Sequence, residues 1–258
     1  MATVTFGPYS PTYLIATDEN ADQDIKGCIY NKKEEKYCEK VLTVSASGDH
    51  PLFCKRYSAK YITTFDVTYT SKLIMDIKTV AIKTLTFNNY WQLLNNLWDN
   101  PNIKSVPNFN RIMSELDSDE QEYIHVMDGK FALFNFGTPP SYYESDKNTH
   151  KSLYTELQQV DLSAFPFIWT DIENLDTKLQ NNTYDFIHLS NILDYVSDDI
   201  KVSVLKSLTQ RLNCGGRILM RRIIGNYQLA TICQKIEKQS SDLAFGNYME
   251  KMVFVKYR

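Results

Sequence analysis

The chain has 258 residues, 43% of them apolar and 13% aromatic, enough to bury a full core in one large domain or in one domain with an insert. Disorder as its main state is excluded. Twenty-eight Lys and Arg against 31 Asp and Glu leave a net charge of -3, so no global field draws nucleic acid or an anionic membrane, and only a local basic patch stays open.

The first stretch, MATVTFGPYSPTYLIATDEN, has no basic region followed by an apolar one, and nowhere do eighteen apolar residues run together, so a soluble cytoplasmic protein without a transmembrane segment is expected. Residues 1–40 read as an N-terminal extension of a single domain spanning 1–258. Val41–Val44 (VLTV) is a short β-branched apolar run, read as a buried strand that ends in the small polar turn Ser45-Ala46-Ser47-Gly48-Asp49. A helix over Pro51–Ser58 and a strand over Tyr61–Phe65, ending at Asp66, complete a strand, helix, strand unit. Between Thr70 and Leu85, the residues Leu73, Ile77, Val80, Ala81 and Leu85 share one helical stripe, with Lys72, Asp76, Lys78 and Lys83 mostly off it. From about 86 to 162 the pattern is aromatic and irregular, with a helical NNYWQLLNNLWDNP and a loop GTPPSYYESDKNTH; this reads as a mostly helical insertion.

Strands resume at Phe165–Trp169, followed by Asp171, and at Tyr184–Leu189, followed by Ser190 and Asn191. Ser197–Arg211 has helical spacing, Cys214-Gly215-Gly216 breaks it, and Arg217–Ile224 returns as a strand, with Met252–Val255 a last and antiparallel one. Alternating strands and helices predict an α/β, Rossmann-like, mainly parallel sheet with helices on both faces. Its right-handed crossovers gather the polar strand ends on one edge, where ligands bind.

That edge collects Ser45–Asp49, Asp66, Asp171 and Ser190–Tyr195. Glycine is scarce, at nine residues, so the one in the first turn is informative: Ser47-Gly48 offers room and NH donors to a ligand. The chain contains neither G-x-G-x-x-G nor G-x-x-x-x-G-K-[ST], which speaks against dinucleotides and nucleoside triphosphates. Asp49 in this turn repels phosphate and suits the cationic end of an amino-acid-like ligand. Asp66 stands where a carboxylate accepts hydrogen bonds from ribose hydroxyls, or else caps the following helix; Asp171 has the same two readings. A nucleoside ligand without phosphate follows, and S-adenosylmethionine is the commonest of that kind.

Other residues carry weaker signals. The cysteines at 28, 38, 54, 214 and 233 and the histidines at 50, 125, 150 and 188 have no metal-ligand spacing, so reduced thiols and no metal site are expected. His188 lies in an apolar strand run and reads as a hydrogen-bonded core residue. Arg221-Arg222 reads as a solvated charge pair or a salt bridge rather than an acidic-substrate site. Tyr90, Trp91, Trp98, Tyr142 and Tyr143 read mostly as local core, with an acceptor-pocket wall as the alternative.

Two stretches carry a family resemblance. VLTVSASGDHPLFCKRYSAKYITTFDVTYTSKLIMDIKTVAIKTLTFNNYWQLL over 41–94, and HKSLYTELQQ with YDFIHLSNILDYV further on, resemble the diacylglycerol 3-amino-3-carboxypropyltransferase family of betaine-lipid synthesis. Together they cover about half of the chain. The resemblance implies a class I S-adenosylmethionine-dependent methyltransferase fold and transfer of the aminocarboxypropyl group, with methyl transfer the alternative and a non-catalytic nucleoside- or protein-binding module the rival of another class. It implies that Ser47, Gly48 and Asp49, with Ser45 and Ala46 of the same turn, meet the amino-acid end and that Asp66, beside Val67, meets the ribose. Asp171 and Ile172 would flank adenine, Ser190 and Asn191 would line the reacting end, and Asp194 and Tyr195 would serve as catalytic residues. Val67-Thr68 departs from the family's Asn-containing pair, and the chain is shorter than the lipid-synthesising enzymes. The acceptor is therefore a small molecule or lipid of open identity, with nucleic acid not expected, peripheral membrane contact open and oligomeric state unread.

Overall fold

The structure is a computed structural model that describes residues 21–31, 36–99, 108–126, 147–221, 228–248 and 251–257. In chain order it begins with helix α1 (Ala21–Ile29), strands β1 (Tyr30–Asn31), β2 (Lys36–Tyr37) and β3 (Lys40–Val44), helix α2 (Asp49–Arg56), strand β4 (Tyr61–Asp66) and helix α3 (Tyr69–Thr84). Helices α4 (Phe87–Asp99), α5 (Phe109–Met113), α6 (Ser118–Val126) and α7 (Lys147–Leu157) occupy the predicted insertion. Strand β5 (Phe167–Trp169), helix α8 (Leu175–Lys178), strand β6 (Tyr184–Ser190), a 3-10 turn (Ile192–Tyr195) and helix α9 (Asp198–Gln210) follow. Strand β7 (Leu212–Arg221), helix α10 (Gln228–Lys238), and strands β8 (Leu243–Tyr248) and β9 (Lys251–Lys256) end the fold.

Two compact units interleave along the chain. One holds Asp22–Val44, Tyr57–Val67 and Phe165–Arg258; the other has Ser45–Arg56 and Thr68–Ala164 as its main parts. The first unit contains a seven-stranded sheet of order β5-β4-β3-β6-β7-β9-β8. Strands β5, β4, β3, β6 and β7 run parallel, and β9 is antiparallel to both β7 and β8. Numbered from β3, the order is 3-2-1-4-5-7-6, which makes this a Rossmann-like fold of the class I methyltransferase type. Val41 and Leu42 in β3, Phe186 and Ile187 in β6, and Ile218, Leu219 and Met220 in β7 are all fully buried. Consecutive burial requires continuous apolar runs instead of alternation, which is why these strands stood out in the sequence.

From Asp22 on, the described part of the N-terminal extension belongs to this unit. Arg217 on β7 donates to the carbonyls of Cys28 (3.0 Å) and Tyr30 (2.8 Å), and Arg221 donates from Nε to Asp24 at 2.7 Å. Lys251 of β9 also pairs with Asp24, so three cations, two on β7 and one on β9, pin α1 alongside β7.

In the second unit the expected α3 stripe is buried, but so are Asp76 and Lys78, which the spacing had placed off it. Helices α4 and α5 both pack on α3, and Lys72 ties it to Glu120 of α6 at 2.6 Å, so more than one of its faces is covered. Arg56 of α2 grips Glu156 of α7 through two parallel bonds of 2.7 and 2.8 Å. Tyr154 of α7 donates to the Leu85 carbonyl and stacks on Tyr90 at 5.6 Å.

Several boundaries differ from expectation. The helix after the first turn starts at Asp49, two residues before Pro51, whose missing N–H costs nothing in a first turn. Strand β5 is the shorter Phe167–Trp169. Gly215 and Gly216 do not precede β7 but lie within it, where the pairing jumps from Tyr184↔Leu212 to Phe186↔Arg217. Gly215 has φ +77°, and a Cβ on Gly216 would lie 2.8 Å from the Asn213 carbonyl oxygen, so the bulge requires both glycines. Strand β8 was not anticipated. The loop GTPPSYYESDKNTH up to residue 146, with Tyr142 and Tyr143, the Trp98 side chain and Arg222 lie outside the described residues.

Candidate functional site

The parallel register fixes which strand ends meet. Val44 pairs with Phe65, Asp66 with Trp169, Thr43 with His188, and Ser190 with Met220. The C-terminal ends of β4, β5 and β6 therefore lie on one edge, with neighbouring strands about 5 Å apart. This brings Asp66, Val67, Asp171, Ile172, Ser190, Asn191, Asp194 and Tyr195 to the edge where a doubly wound sheet binds ligands.

Asp66 is half-buried, and its backbone carbonyl accepts from Thr170 N–H at 3.0 Å, tying β4 to the residue after β5. Val67 is 44% exposed. Asp171 closes the turn that precedes the short helix α8: its Oδ1 accepts from the Asn174 backbone N–H at 2.8 Å, and the Asn174 amide approaches both carboxylate oxygens. Ile172 is buried. Ser190 takes a left-handed backbone at φ 51°, which turns the chain sharply out of β6 into the 3-10 turn. There Asp194 is half-buried, with its backbone N–H donating to the Asn191 carbonyl at 2.9 Å, and Tyr195 is 61% exposed.

The turn Ser45–Asp49 continues directly from β3 in the chain and belongs to the second unit. Ala46 (φ 43°) and Gly48 (φ 81°) are both left-handed, and Gly48 N–H donates to the Ser45 carbonyl at 2.7 Å. A Cβ on Gly48 would sit 2.8 Å from Cα of Met75, so only glycine lets the turn lie this close to α3. The sequence reading gave Asp49 to the cationic end of a ligand; the structure gives it another partner. Asp49 is buried, accepts from Lys78 Nζ at 2.6 Å, and its second oxygen accepts from Ser47 Oγ at 2.9 Å. Burial pulls the Lys78 ammonium below the ordinary lysine range, and the Asp49 charge opposes that pull. Burial pushes the nearby Tyr90 phenol upward, with a further contribution from Asp49.

A second charged cluster lies on the same helix. Lys72 contacts Asp76 at 2.9 Å, Asp117 at 3.3 Å and Glu120 at 2.6 Å. Burial first, then a hydrogen bond shared with Glu120, pushes the Asp76 carboxyl up to about 8. Burial lowers Lys72, but Glu120 and Asp76 outweigh it and hold the ammonium above its usual range.

His188 is buried, with Nδ1 3.3 Å from Thr43 Oγ1 on the neighbouring strand, in keeping with a core residue. Arg221 is in its salt bridge with Asp24. All five cysteines are free thiols, and burial raises Cys28 to about 11 and Cys38 and Cys233 to about 12, which suppresses the nucleophilic thiolate. Among the described residues no helix is long and apolar enough to cross a membrane, and no group of three His, Cys, Asp or Glu is arranged to hold a metal ion.

Two residues that the sequence did not single out belong with this description. Lys78 was read as lying off the apolar stripe. Trp169, the last residue of β5, is 50% exposed beside Asp66, and its indole N–H donates to the Val67 carbonyl at 3.0 Å. An apolar aromatic half-exposed at a strand end is the signal that marks it, although exposure is invisible in sequence.

No protein-family model matches the chain, and no curated protein matches it. Solved structures are similar at a low level. An rRNA methylase from Streptococcus thermophilus has 8% identity and a TM-score of 0.44, over 92% of this chain and 95% of that one. The N-methyltransferase NodS from Bradyrhizobium japonicum WM9, in complex with S-adenosyl-L-homocysteine, has 11% identity and a TM-score of 0.43, over 92% and 84%. An O-methyltransferase from Bacillus cereus has 5% identity and a TM-score of 0.44, over 92% and 79%. The fold assignment rests on the strand order and register.

Proposed function

We propose that the protein is an S-adenosylmethionine-dependent transferase. The observation that carries this reading is the 3-2-1-4-5-7-6 sheet with a half-buried Asp66 at the end of its second strand and no glycine-rich phosphate cradle after its first. Asp66, beside Val67, accepts from the ribose hydroxyls; Asp171 and Ile172 flank the adenine; Ser190 and Asn191 line the reacting end. The turn Ser45-Ala46-Ser47-Gly48-Asp49 takes the amino-acid end. Lys78 pairs with the turn's only acid, which offsets the charge that would repel a carboxylate there. Other proteins of this fold include the NodS structure with S-adenosyl-L-homocysteine.

When bound, the cofactor supplies a sulfonium whose attached carbons are electrophilic, so no metal or protein nucleophile is needed. The chain's own task is to align the acceptor and exclude water. Asp194 stands half-buried on the turn after β6, as the base for an acceptor O–H or N–H proton. Tyr195, 61% exposed, is the surface the acceptor meets.

The transferred group is the 3-amino-3-carboxypropyl group, on the S-G-D turn and the L-S-N-I-L-D-Y segment that resemble the betaine-lipid family. Its acceptor is a small molecule or lipid. Incubation with S-adenosylmethionine and cell extract, read by mass spectrometry, tests this: methylthioadenosine is the expected by-product. Accumulation of S-adenosylhomocysteine alone would replace aminocarboxypropyl transfer with methyl transfer, and calorimetry without cofactor binding would favour a non-catalytic module.

A further inference from the structure

We propose that Trp169 is the residue on which the ligand's nucleobase stacks, held in place for that role by the bond from its indole N–H to the Val67 carbonyl. This rests on the S-adenosylmethionine reading and adds to it a binding residue that the sequence motifs do not assign.

Asp66, Val67, Trp169, Asp171 and Ile172 all belong to one compact unit, and strand register sets their spacing. Asp66 pairs with Trp169 across β4 and β5, so Trp169 stands one strand spacing, about 5 Å, from the residue assigned to the ribose. The base is joined to that same ribose, so whatever receives it must adjoin Asp66. Asp171 and Ile172 flank this position but offer a base little surface. Ile172 is buried, and both carboxylate oxygens of Asp171 accept from Asn174, which ties the carboxylate into its own turn. Trp169 has half of its surface open to solvent, and β5 is the end strand of the sheet.

A singly exposed aromatic is ordinary on a protein surface. Trp169 differs in being tethered. Its indole N–H donates to the Val67 carbonyl at 3.0 Å, and the next residue, Thr170, donates its backbone N–H to the Asp66 carbonyl at 3.0 Å. Side chain and main chain at the end of β5 are thus both tied to the end of β4. The tether orders the ring during folding, so that ordering does not weigh against binding. Its polar atom is engaged, and the open part of the indole is apolar and flat, which suits a purine face because stacking needs no hydrogen-bond partner.

The test measures the dissociation constant of S-adenosylhomocysteine by calorimetry for wild type, Trp169→Phe and Trp169→Leu. Both substitutions remove the indole N–H, and only Phe keeps an aromatic face. Trp169→Leu is expected to weaken binding about tenfold, and Trp169→Phe to stay within about threefold of wild type. Equal weakening in both variants overturns the proposal, because Trp169 would then act only through its bond to Val67. Trp169→Leu within about threefold of wild type overturns it as well, while leaving the cofactor reading in place. Oxidative footprinting of the wild type, read at Trp169 by mass spectrometry, decides without any variant: saturating S-adenosylhomocysteine is expected to protect the indole, and unchanged oxidation overturns the stacking role. Wild type that does not bind S-adenosylhomocysteine overturns the cofactor reading itself, and this inference with it.

Discussion

Replacing Asp66 with Asn tests the cofactor reading at its acidic anchor. The substitution keeps the side chain's shape at the end of β4 and leaves the Thr170 N–H to Asp66 carbonyl bond intact, since that bond uses the backbone. What it removes is a charged acceptor for two ribose hydroxyls. A hydrogen bond to a charged group contributes about 1.5–3 kcal/mol against about 0.5–1.5 for a neutral one. The difference is about 1 kcal/mol per bond, or about 2 kcal/mol for both. Asp66 is half-buried, so solvent screens part of the charge and the full deep-site figure does not apply. The expected result is a roughly thirtyfold rise in the dissociation constant of S-adenosylhomocysteine, with a melting temperature close to wild type. A 2′-deoxy analogue sharpens the measurement, because it lacks one partner hydroxyl and should lose only about half as much free energy on the same substitution. Equal losses for both ligands, or affinity within threefold of wild type, would show that Asp66 is a helix cap or a solvated edge residue and would refute the ribose assignment.

Other perturbations follow from the same geometry. Trp169 is half-exposed beside Asp66, so S-adenosylhomocysteine should quench tryptophan fluorescence in wild type but not in Trp169→Phe; quenching that persists would place the ligand elsewhere. The Asp76 carboxyl is raised to about 8 from 3.8, so the folded state binds the extra proton between those values. Its contribution is complete below about pH 4 and is lost as pH rises toward 8. Asp76→Asn should therefore raise the melting temperature relative to wild type more at pH 9 than at pH 5, and an equal shift at both would refute the assignment. Asp24 is fully buried between Arg221 and Lys251, and Asp24→Asn should cost about 3–5 kcal/mol, a drop of roughly 10 °C by thermal denaturation.

Much of the sheet was legible because its central strands are buried at consecutive positions. VLTV and YDFIHL are apolar runs bounded by small polar residues, and both proved to be core strands. The reading failed where a residue's usual meaning was overridden by context. Gly215-Gly216 looked like a break because glycine usually ends elements; it is a bulge, required by φ +77° and by the approach of the Asn213 carbonyl. Strand β8, LAFGNY, has neither a sustained apolar run nor clean alternation, and Gly246 and Asn247 lower its strand propensity. Its place comes from pairing along β9, a tertiary cause with no local signal.

At the strand ends, sequence located the acids but not their partners. Asp171 was read as either a cap or a nucleoside contact; it bonds Asn174 in the turn before α8, whose N-cap is Asn174 itself, and its edge position keeps the second role within the proposal. Asp49 was read as facing a cation, and it does face one. The cation is Lys78, 29 positions away in the chain, and a helical lysine is ordinarily solvated, so nothing local identified it. The difference matters for ligand chemistry. A turn with an unneutralised acid would select for a ligand's ammonium, whereas the charge of Asp49 in this turn is already opposed by Lys78. Swapping the pair to Asp49→Lys with Lys78→Asp would preserve neutrality but reverse the local dipole. If charge pairing is what Asp49 and Lys78 contribute, affinity for the ligand's carboxylate should survive that swap in a folded variant far better than it survives Lys78→Met, and calorimetry showing the opposite order would return the recognition to the Asp49 side chain.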